Sequence, residues 1–387
     1  MSLPNRSCIR SLCWALLLPS ALVLTACSTG ATSANPASFP SVSVDDGTAY
    51  VAAGPAVYAV DIESGDVKWK YPDEASSDVS FYAAPAIAED GLIYLGSYDK
   101  IVRAVDAATG NEIREFEALD GRVIGSPVVA GDLLLVPTDG GSLYAYERHS
   151  GQPKWKFTSV GDACGPEPNT PPCSFWSAPL VDGETVYIAS LAHLLYAIDL
   201  ASGEERWDAP VELDAAIADT PALEDGLLLT GVLGNSLVGV RAQDGAEMWT
   251  APTSGWLWGS PAVADSTAYF GDATPTWWTT KDGVGNVYAL DLASQTVIWQ
   301  TPTAATSTSP LIVDERLIVA FENGQLIAYD LAGNELWHKA AFGPILADPV
   351  LADGKVIVAV TSKEALLQAF DSATGASAWA YLPDENG

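Results

Sequence analysis

The chain has 387 residues, 48% of them hydrophobic, with 49 acidic and 18 basic side chains and a formal net charge of −31. The length and apolar content allow one large core, as closed all-β folds often use such lengths for a single domain. So negative a surface repels nucleic acid and anionic lipid headgroups, which excludes nucleic acid as an expected partner. A solvated, mutually repelling surface explains the charge without any specific partner.

The N-terminus has the pattern of an export signal. Arg6 and Arg10 precede an apolar run over residues 12–24, which is too short for an ordinary transmembrane helix. The run ends in Leu-Thr-Ala-Cys at Cys27 and resembles the lipobox of bacterial lipoproteins. That resemblance implies a signal peptide at 1–26, cleavage before Cys27 and acylation of this cysteine. The alternative is an ordinary secretory signal followed by a chance cysteine.

Residues 27–38 follow as a small, uncharged segment that predicts a flexible tether. Acylation with more than one chain would give stable membrane anchoring. We therefore expect an extracytoplasmic protein of the cell envelope. In a cell with two membranes it would lie on the periplasmic face of the outer membrane, and in a cell with one membrane on the outer face of the cytoplasmic membrane.

Two cysteines remain in the mature chain besides the lipidation site. Cys164 and Cys173 enclose a proline-rich segment, whereas Cys8 and Cys13 leave with the signal. A pair that closes a short loop outside the cytosol indicates a disulfide. Two isolated cysteines do not supply the four ligands of a structural zinc site.

Internal repetition is the main feature of residues 39–382. The segment VYAVDIESGDVKW, which ends at Trp69, recurs in eight versions, each preceded by a proline. The prolines are 39–52 residues apart, which is the range expected for propeller blades. The tryptophans that end the repeats are Trp69, Trp155, Trp207, Trp249, Trp299, Trp337 and Trp379. One repeat has Arg114 in place of tryptophan, and another has Gln295 in place of the motif glycine.

Each repeat contains four short alternating segments separated by turn residues. In the third repeat these segments begin near Pro127, Leu133, Ser142 and Pro153. A single four-stranded sheet cannot bury both faces, but a ring of eight lets each sheet cover the next. We therefore predict an all-β fold, an eight-bladed β-propeller of four-stranded antiparallel blades over 39–382, with a short tail at 383–387.

The repeat resembles the tryptophan-docking motif of propellers of the pyrroloquinoline-quinone (PQQ) type. The resemblance implies that each motif tryptophan packs between blades, on the glycine of the neighbouring motif, and is structural. Burying about 200 Å² of tryptophan contributes up to about 5 kcal/mol of transfer free energy. The joints at Arg114 and Gln295 should therefore be the weakest.

Quinoprotein dehydrogenases of this fold carry features that this sequence lacks. It has no adjacent cysteine pair and no haem-attachment motif, and His149, His193 and His338 fall in three different repeats. We expect no catalytic residues, no metal site and neither PQQ nor calcium as a cofactor. The chain is more similar to the propeller lipoproteins of the outer-membrane β-barrel assembly machinery. That resemblance implies a monomeric, non-catalytic adaptor that binds a protein partner through its interblade loops.

Candidate binding residues lie where the repeats differ. The residues that precede each strand-opening proline should surround one mouth of the central channel, and there the chain places Tyr82, Trp176, Trp258, Asp219 and Asp348. Aromatic rings beside carboxylates could bind a sugar or a cation. The alternative is that the rings plug the channel as core.

A second candidate surface is the hairpin of the sixth repeat, which carries Trp277 and Trp278. Adjacent tryptophans cannot both point inward from an alternating strand, and exposed aromatics are enriched at protein interfaces. The alternative is packing on a neighbouring loop. The sequence thus leaves two roles open, a protein-binding scaffold and a sensor of a glycan or small molecule.

Overall fold

The computed structural model describes residues 39–76, 78–161, 164, 173–274 and 283–383. The expected lipidation site Cys27 and the tryptophan pair Trp277–Trp278 lie outside the described residues. The part that the model describes is built from 32 β-strands. Within it, no helix is long and apolar enough to cross a membrane.

The strands group into eight blades of four consecutive strands each. Blades 1 and 2 consist of β1 (Ser41–Asp45), β2 (Thr48–Ala53), β3 (Ala56–Asp61), β4 (Val67–Tyr71), β5 (Ala86–Ile87), β6 (Leu92–Gly96), β7 (Val102–Asp106) and β8 (Glu112–Glu115). Blades 3 and 4 consist of β9 (Val128–Ala130), β10 (Leu133–Pro137), β11 (Ser142–Glu147), β12 (Pro153–Thr158), β13 (Leu180–Asp182), β14 (Thr185–Ala189), β15 (Leu194–Asp199) and β16 (Val211–Glu212). Blades 5 and 6 consist of β17 (Ala222–Glu224), β18 (Leu227–Val232), β19 (Ser236–Arg241), β20 (Glu247–Pro252), β21 (Ala262–Ala264), β22 (Thr267–Gly271), β23 (Val284–Asp291) and β24 (Thr296–Ala304). Blades 7 and 8 consist of β25 (Leu311–Val313), β26 (Arg316–Ala320), β27 (Gln325–Asp330), β28 (Glu335–Ala340), β29 (Val350–Ala352), β30 (Lys355–Ala359), β31 (Leu367–Asp371) and β32 (Ser377–Tyr381).

Every blade is an antiparallel meander in which the first strand is the innermost. In blade 5, for example, Leu229 of β18 pairs with Ala222 of β17 on one side and with Gly239 of β19 on the other. First strands of neighbouring blades adjoin each other, as β1 does with both β5 and β29. This arrangement confirms the predicted eight-bladed propeller.

The motif aspartate explains why the chain turns between the third and fourth strands. Asp61 accepts a hydrogen bond from the backbone N–H of Ser64 at 2.9 Å. This bond and the contact with the Lys68 side chain together lower the pKa of Asp61 to about 2. Gly65 then takes a left-handed φ of 79°, which suits glycine because it has no Cβ. A short polar cap and a glycine thus fix the turn locally.

The hydrophobic core lies between the blades. Leu135 and Phe157 of blade 3, for example, pack with Val186 and Tyr196 of blade 4 in one buried cluster. Because the sheet faces are covered by the adjacent blades, each blade depends on its two neighbours for burial.

The ring closes between blade 8 and blade 1 without exchange of a strand. β1 to β4 form blade 1 and β29 to β32 form blade 8, so side chains alone join the two. The Trp379 indole N–H donates to the Ile62 carbonyl at 2.7 Å, and Lys355 forms an ion pair with Glu63 at 2.7 Å. A buried cluster that includes Val51 and Ile357 completes the closure.

Cys164 and Cys173 form a disulfide with their Cα atoms 5.3 Å apart, in agreement with the sequence prediction. Both residues are buried, and they lie in the connection between β12 of blade 3 and β13 of blade 4.

Candidate functional site

Six motif tryptophans lie at the joints between consecutive blades. Trp155 of blade 3 packs so closely on Gly203 of blade 4 that a Cβ on this glycine would be 2.6 Å from the indole Cδ2. The indole N–H of Trp155 also donates to the Leu200 carbonyl of blade 4 at 3.0 Å. Equivalent contacts join Trp69 to Gly110, Trp207 to Gly245, Trp299 to Gly333, Trp337 to Gly375 and Trp379 to Gly65. One face of each of these indoles therefore packs against the neighbouring blade.

The two remaining joints differ from this arrangement. Between blades 2 and 3, Arg114 lies over Gly151 and donates a hydrogen bond to the Ser150 carbonyl at 2.5 Å. Between blades 5 and 6, Gln295 replaces the glycine and takes a left-handed φ of 61°. Within the described part of the chain, the Trp249 indole lacks the interblade hydrogen bond that the other motif tryptophans make.

The candidate site is the mouth of the central channel, and it is built from seven segments that we call the lead-in segments. Each consists of the four residues before a strand-opening proline. They are residues 81–84, 123–126, 175–178, 217–220, 257–260, 306–309 and 345–348. In six of the seven, burial alternates so that the first and third residues are buried while the second and fourth are accessible; in the segment 345–348 only the first is buried. The second and fourth positions therefore face the channel mouth.

A backbone hydrogen bond joins the residue just before each lead-in segment to the turn between the second and third strands of the same blade. In blade 4 the Leu191 N–H donates to the Ser174 carbonyl at 2.9 Å, and in blade 7 the Glu322 N–H donates to the Ala305 carbonyl at 3.0 Å. These turns thus lie beside the mouth. Their corresponding residues are Tyr98, Asp139, Leu191, Leu233, Ala273, Glu322 and Thr361.

Side chains at the fourth lead-in position connect neighbouring blades. The Asp348 carboxylate accepts hydrogen bonds from the Ser309 backbone N–H at 2.7 Å and from its hydroxyl at 2.9 Å. The Ser309 hydroxyl accepts in turn from the Ser260 N–H at 2.9 Å. The Ser260 hydroxyl donates to the Thr220 carbonyl at 2.6 Å, and the Thr220 hydroxyl donates to the Ala178 carbonyl at 3.0 Å. One continuous chain of hydrogen bonds therefore fixes the rim from blade 8 to blade 4.

Aromatic side chains divide between the core and the mouth. Phe81 and Phe175, at the first lead-in position, are fully buried between blades. Trp176, at the second position, is 37% exposed. Tyr82 and Trp258, also at second positions, are partly exposed. Trp258 lies with its ring centroid 6.1 Å from that of Trp256.

Arg122, which directly precedes the lead-in segment 123–126, lies near two tyrosines at the mouth. Tyr82 contacts Tyr98 with ring centroids 5.1 Å apart, and the Arg122 guanidinium lies 5.0 Å from the Tyr98 ring centroid. Arg122 is also paired with Asp139 at 2.7 Å. Its charge is therefore already compensated.

Two carboxyl groups reach the mouth from blades 7 and 8. Asp348 is accessible to solvent, yet desolvation by the surrounding channel wall raises its pKa. Desolvation likewise raises the pKa of Glu322, which lies against Ser307 of the adjoining lead-in segment. Sequence reasoning missed Glu322 and Tyr98, although the antiparallel pairing of the first and second strands could have placed their turns at this mouth.

Asp219 does not face the mouth, in contrast to the sequence prediction. It occupies a third lead-in position and is 5% exposed. Gly259 occupies the same third position in blade 6, and a Cβ on it would be 2.3 Å from the backbone of Thr308 in the lead-in segment of blade 7. A side chain at the third position therefore points toward the adjacent lead-in segment. The prediction was wrong because the alternation within the segment turns this residue inward.

The surroundings of Asp219 are poor in hydrogen-bond donors. Its Oδ1 accepts from the Thr230 hydroxyl at 3.3 Å, while its Oδ2 has no partner among the described residues. Burial raises the pKa of Asp219 well above its ordinary value, and the nearby charge of Asp348 raises it further. The group is thus a buried acid under the rim that favours its protonated form.

A second buried acid, Asp272, has the opposite surroundings. Its carboxylate accepts hydrogen bonds from the backbone N–H groups of Ser254, Gly255 and Asn286 at 2.6–3.1 Å and from the Tyr288 hydroxyl at 2.7 Å. These donors belong to the loop before the lead-in segment of blade 6 and to β23 of the same blade. Asp272 therefore has a structural role, which is to position the loop that carries Trp256 and Trp258.

Two proteins are similar to this chain in sequence. The chain is 24% identical to outer membrane protein assembly factor BamB of Burkholderia pseudomallei over 67% of its length and 65% of that protein. It is 30% identical to the serine/threonine-protein kinase AfsK of Streptomyces griseus over 45% of its length. The chain spans 21% of the kinase and 65% of BamB, which is less than two thirds of either relative.

Solved structures share the fold at low identity. BamB from Moraxella catarrhalis superposes with a TM-score of 0.64 at 17% identity, covering 82% of this chain and 90% of that one. Quinohemoprotein alcohol dehydrogenase from Comamonas testosteroni superposes with a TM-score of 0.66 at 17% identity, covering 84% and 70%. At such identities the likeness shows the propeller fold alone.

A family model matches the chain over residues 28–118, 98–255, 191–284 and 283–386. These matches together extend over nearly the whole repeat region. The chain therefore belongs to the PQQ-repeat family whose model is described as outer membrane protein assembly factor BamB.

Proposed function

We propose that this protein is a non-catalytic scaffold of the cell envelope that binds a protein partner through the channel-mouth face. In this proposal residues 1–26 are a signal peptide, Cys27 carries the lipid anchor and residues 27–38 tether the propeller to the membrane. The partner would belong to an assembly machinery like the one that the family description names.

The observation that carries the proposal is the exposure of tryptophan on this face. Trp176 of blade 4 is 37% exposed, and Trp256 and Trp258 of blade 6 are partly exposed. Tryptophan is enriched at the energetic centres of protein interfaces. The motif tryptophans, in contrast, pack one ring face on a neighbouring blade, and among the described residues all but Trp249 donate their N–H to a carbonyl of that blade. Exposed tryptophan therefore occurs where the repeat leaves side chains free to vary.

Catalysis with PQQ fits these residues poorly. PQQ carries three carboxylates, whereas Asp348 and Glu322 border the mouth and Asp219 lies beneath it. Arg122, the basic residue of the lead-in loops, is already paired with Asp139. Within the described residues, no group of three or more histidine, cysteine, aspartate or glutamate side chains is placed to hold a metal. We therefore propose no cofactor and no catalytic residue.

Site-specific photocrosslinking in intact cells tests the scaffold proposal. A photoreactive amino acid at position 176 of the full-length lipoprotein should form a defined adduct with one protein. The same amino acid in place of exposed Asp132, in the turn between β9 and β10 at the opposite end of the blade, is the matched control and should form none.

A purification experiment supplies the second criterion. Trp176→Ala should lose the crosslinked protein while its circular dichroism spectrum stays that of the folded parent, because Trp176 is not one of the motif tryptophans that join the blades. The absence of any adduct from position 176, or equal adducts from both positions, would refute the docking face.

A further inference from the structure

We propose that the channel mouth is a binding site for an organic cation, a primary or quaternary ammonium group held between tryptophan faces and carboxylates. This ligand site shares Trp176 with the face proposed to dock a protein partner, but binding of the cation needs no partner. It rests on the placement of Trp176, Trp258, Asp348 and Glu322 around one rim.

The aromatic half of the site comes from blades 4 and 6. Trp176 and Trp258 occupy equivalent second positions of their lead-in segments, and both side chains are accessible there. The Trp256 ring lies 6.1 Å from that of Trp258. Its backbone is fixed by a bridge, in which Trp256 N–H donates to the Ala273 carbonyl and Ala273 N–H donates to the Trp256 carbonyl, both at 2.9 Å. Tryptophan has the aromatic face that attracts a cation most strongly.

The acidic half comes from blades 7 and 8. Asp348 is exposed and Glu322 is partly exposed. Among the described residues, neither carboxyl group forms an ion pair; Asp348 is bound by Ser309 alone, through its N–H and hydroxyl. Two acidic side chains are thus left without a countercharge at the channel mouth.

The two halves are fixed relative to each other. The hydrogen-bond chain from Asp348 through Ser309, Ser260 and Thr220 ends at Ala178, two residues beyond Trp176. Each step of this chain joins the lead-in segments of adjacent blades. The rim is therefore preorganised, which lowers the entropic cost of binding.

The same arrangement disfavours the other ligand classes. An anion is repelled by the two carboxylates and by the negative faces of the rings. A neutral sugar needs several free hydrogen-bonding side chains, but the hydroxyls of Thr220, Ser260 and Ser309 are already bound within the rim. A bare metal ion lacks the three clustered ligand side chains, within the part of the chain that the structure describes. An organic cation uses both features that the mouth does offer.

Asp219, which is buried beneath the rim, makes cation binding depend on pH. Its unpartnered carboxyl lies close enough to Asp348 that the charge of Asp348 raises its pKa. A cation bound at the mouth should lower the electrostatic cost of ionising both groups. Binding should therefore strengthen as the pH rises through the range in which these acids titrate.

Calorimetric titration of the full mature protein, without any partner, tests the site. Choline and butylamine are the probes, and 3,3-dimethyl-1-butanol, the neutral analogue of choline, and glucose are the controls, all at constant ionic strength. We expect saturable binding of choline or butylamine and none of either control. Trp176→Ala and Glu322→Gln should each weaken binding roughly threefold to thirtyfold, the range of one cation–π contact or one ion pair.

Asp353→Asn is the matched control, because Asp353 is an exposed acid in the turn between β29 and β30, away from the mouth. It should leave the affinity unchanged, which separates site binding from attraction to the general negative charge. Binding of neither ammonium probe, equal binding of the neutral analogue, or equal loss in Asp353→Asn would each overturn the proposal. Since no partner is present, such a failure leaves the crosslinking test of the scaffold unaffected.

Discussion

The outer joints and the channel mouth are built from the same eight repeats but differ in how their side chains are used. At six joints a tryptophan packs on a glycine of the next blade, and each indole N–H has an interblade acceptor. At the mouth, equivalent second positions hold residues as different as Tyr82, Ala218 and Ser307.

This difference separates the positions that stabilise the fold from the positions that can determine what the protein binds. A regular joint tolerates little variation, because the indole is in van der Waals contact with the glycine and its N–H donates to a carbonyl a few residues before that glycine. A mouth position only needs a backbone that reaches the rim, so its side chain is free to vary. Mutations at the joints should therefore change unfolding, and mutations at the mouth should change binding or its pH dependence.

The largest effect is expected from emptying a regular joint. Trp207 is 6% exposed, contacts Gly245 and donates to the Ala242 carbonyl at 3.0 Å. Trp207→Ala should lower the free energy of unfolding by about 3–5 kcal/mol, since it leaves a large cavity. Urea denaturation followed by circular dichroism measures the change.

The irregular joint supplies the comparison for that variant. Arg114 is exposed and contributes one hydrogen bond to Ser150. Arg114→Ala should cost about 1 kcal/mol or less. Equal losses in Trp207→Ala and Arg114→Ala would contradict the assignment of tryptophan as the main interblade contact.

A smaller effect is expected from adding one methyl group at a joint. Gly203 has a φ of 76°, and its Cβ would lie 2.6 Å from the Trp155 indole. Gly203→Ala should lose about 2–4 kcal/mol, from left-handed strain and from displacement of the indole. Gly183 has a φ of 55° with open space around its Cβ position, so Gly183→Ala should lose only about 1–2 kcal/mol. Both variants share the backbone strain, so the difference between their thermal unfolding midpoints measures the contribution of the indole–glycine packing to stability. Equal midpoints would contradict such a contribution.

The effect that depends on pH is expected at the buried acid below the mouth. The pKa of Asp219 in the folded protein is raised above the unfolded value of about 3.9. The contribution of this group to stability is therefore most favourable below that value and falls as the pH rises through the folded-state pKa. Asp219→Asn should remove this loss, so the variant should gain stability relative to the parent between pH 4 and pH 7. Each unit by which the pKa is raised corresponds to about 1.4 kcal/mol.

Asp272→Asn is the control for that measurement. Its carboxylate accepts from three backbone N–H groups and the Tyr288 hydroxyl, so the amide should destabilise the protein at neutral pH. Denaturation at pH 4 and pH 7 compares the two. A loss of stability at pH 7 in Asp219→Asn would contradict this prediction, because it would show that the hydrogen bonds from Thr230 and the Gly231 backbone outweigh the desolvation of the carboxylate.

The sequence by itself determined the propeller. Turn residues, alternation and the recurring Asp-x-x-Ser/Thr-Gly segment act within one repeat, so four strands per repeat and eight blades could be predicted from local pattern. The Cys164–Cys173 pair could also be predicted, because its short loop brings the two residues together. These features need no information from distant parts of the chain.

Only the tertiary structure decided which side chains reach the channel mouth. The one-residue alternation within each lead-in segment places Trp176 at the rim but turns Asp219 between the blades. Closure of the ring then brings Glu322, from a turn that the sequence did not single out, to the same rim as Asp348. Strand pairing and blade stacking, rather than residue type, set these positions, because they fix the direction of each Cβ and the identity of its neighbours.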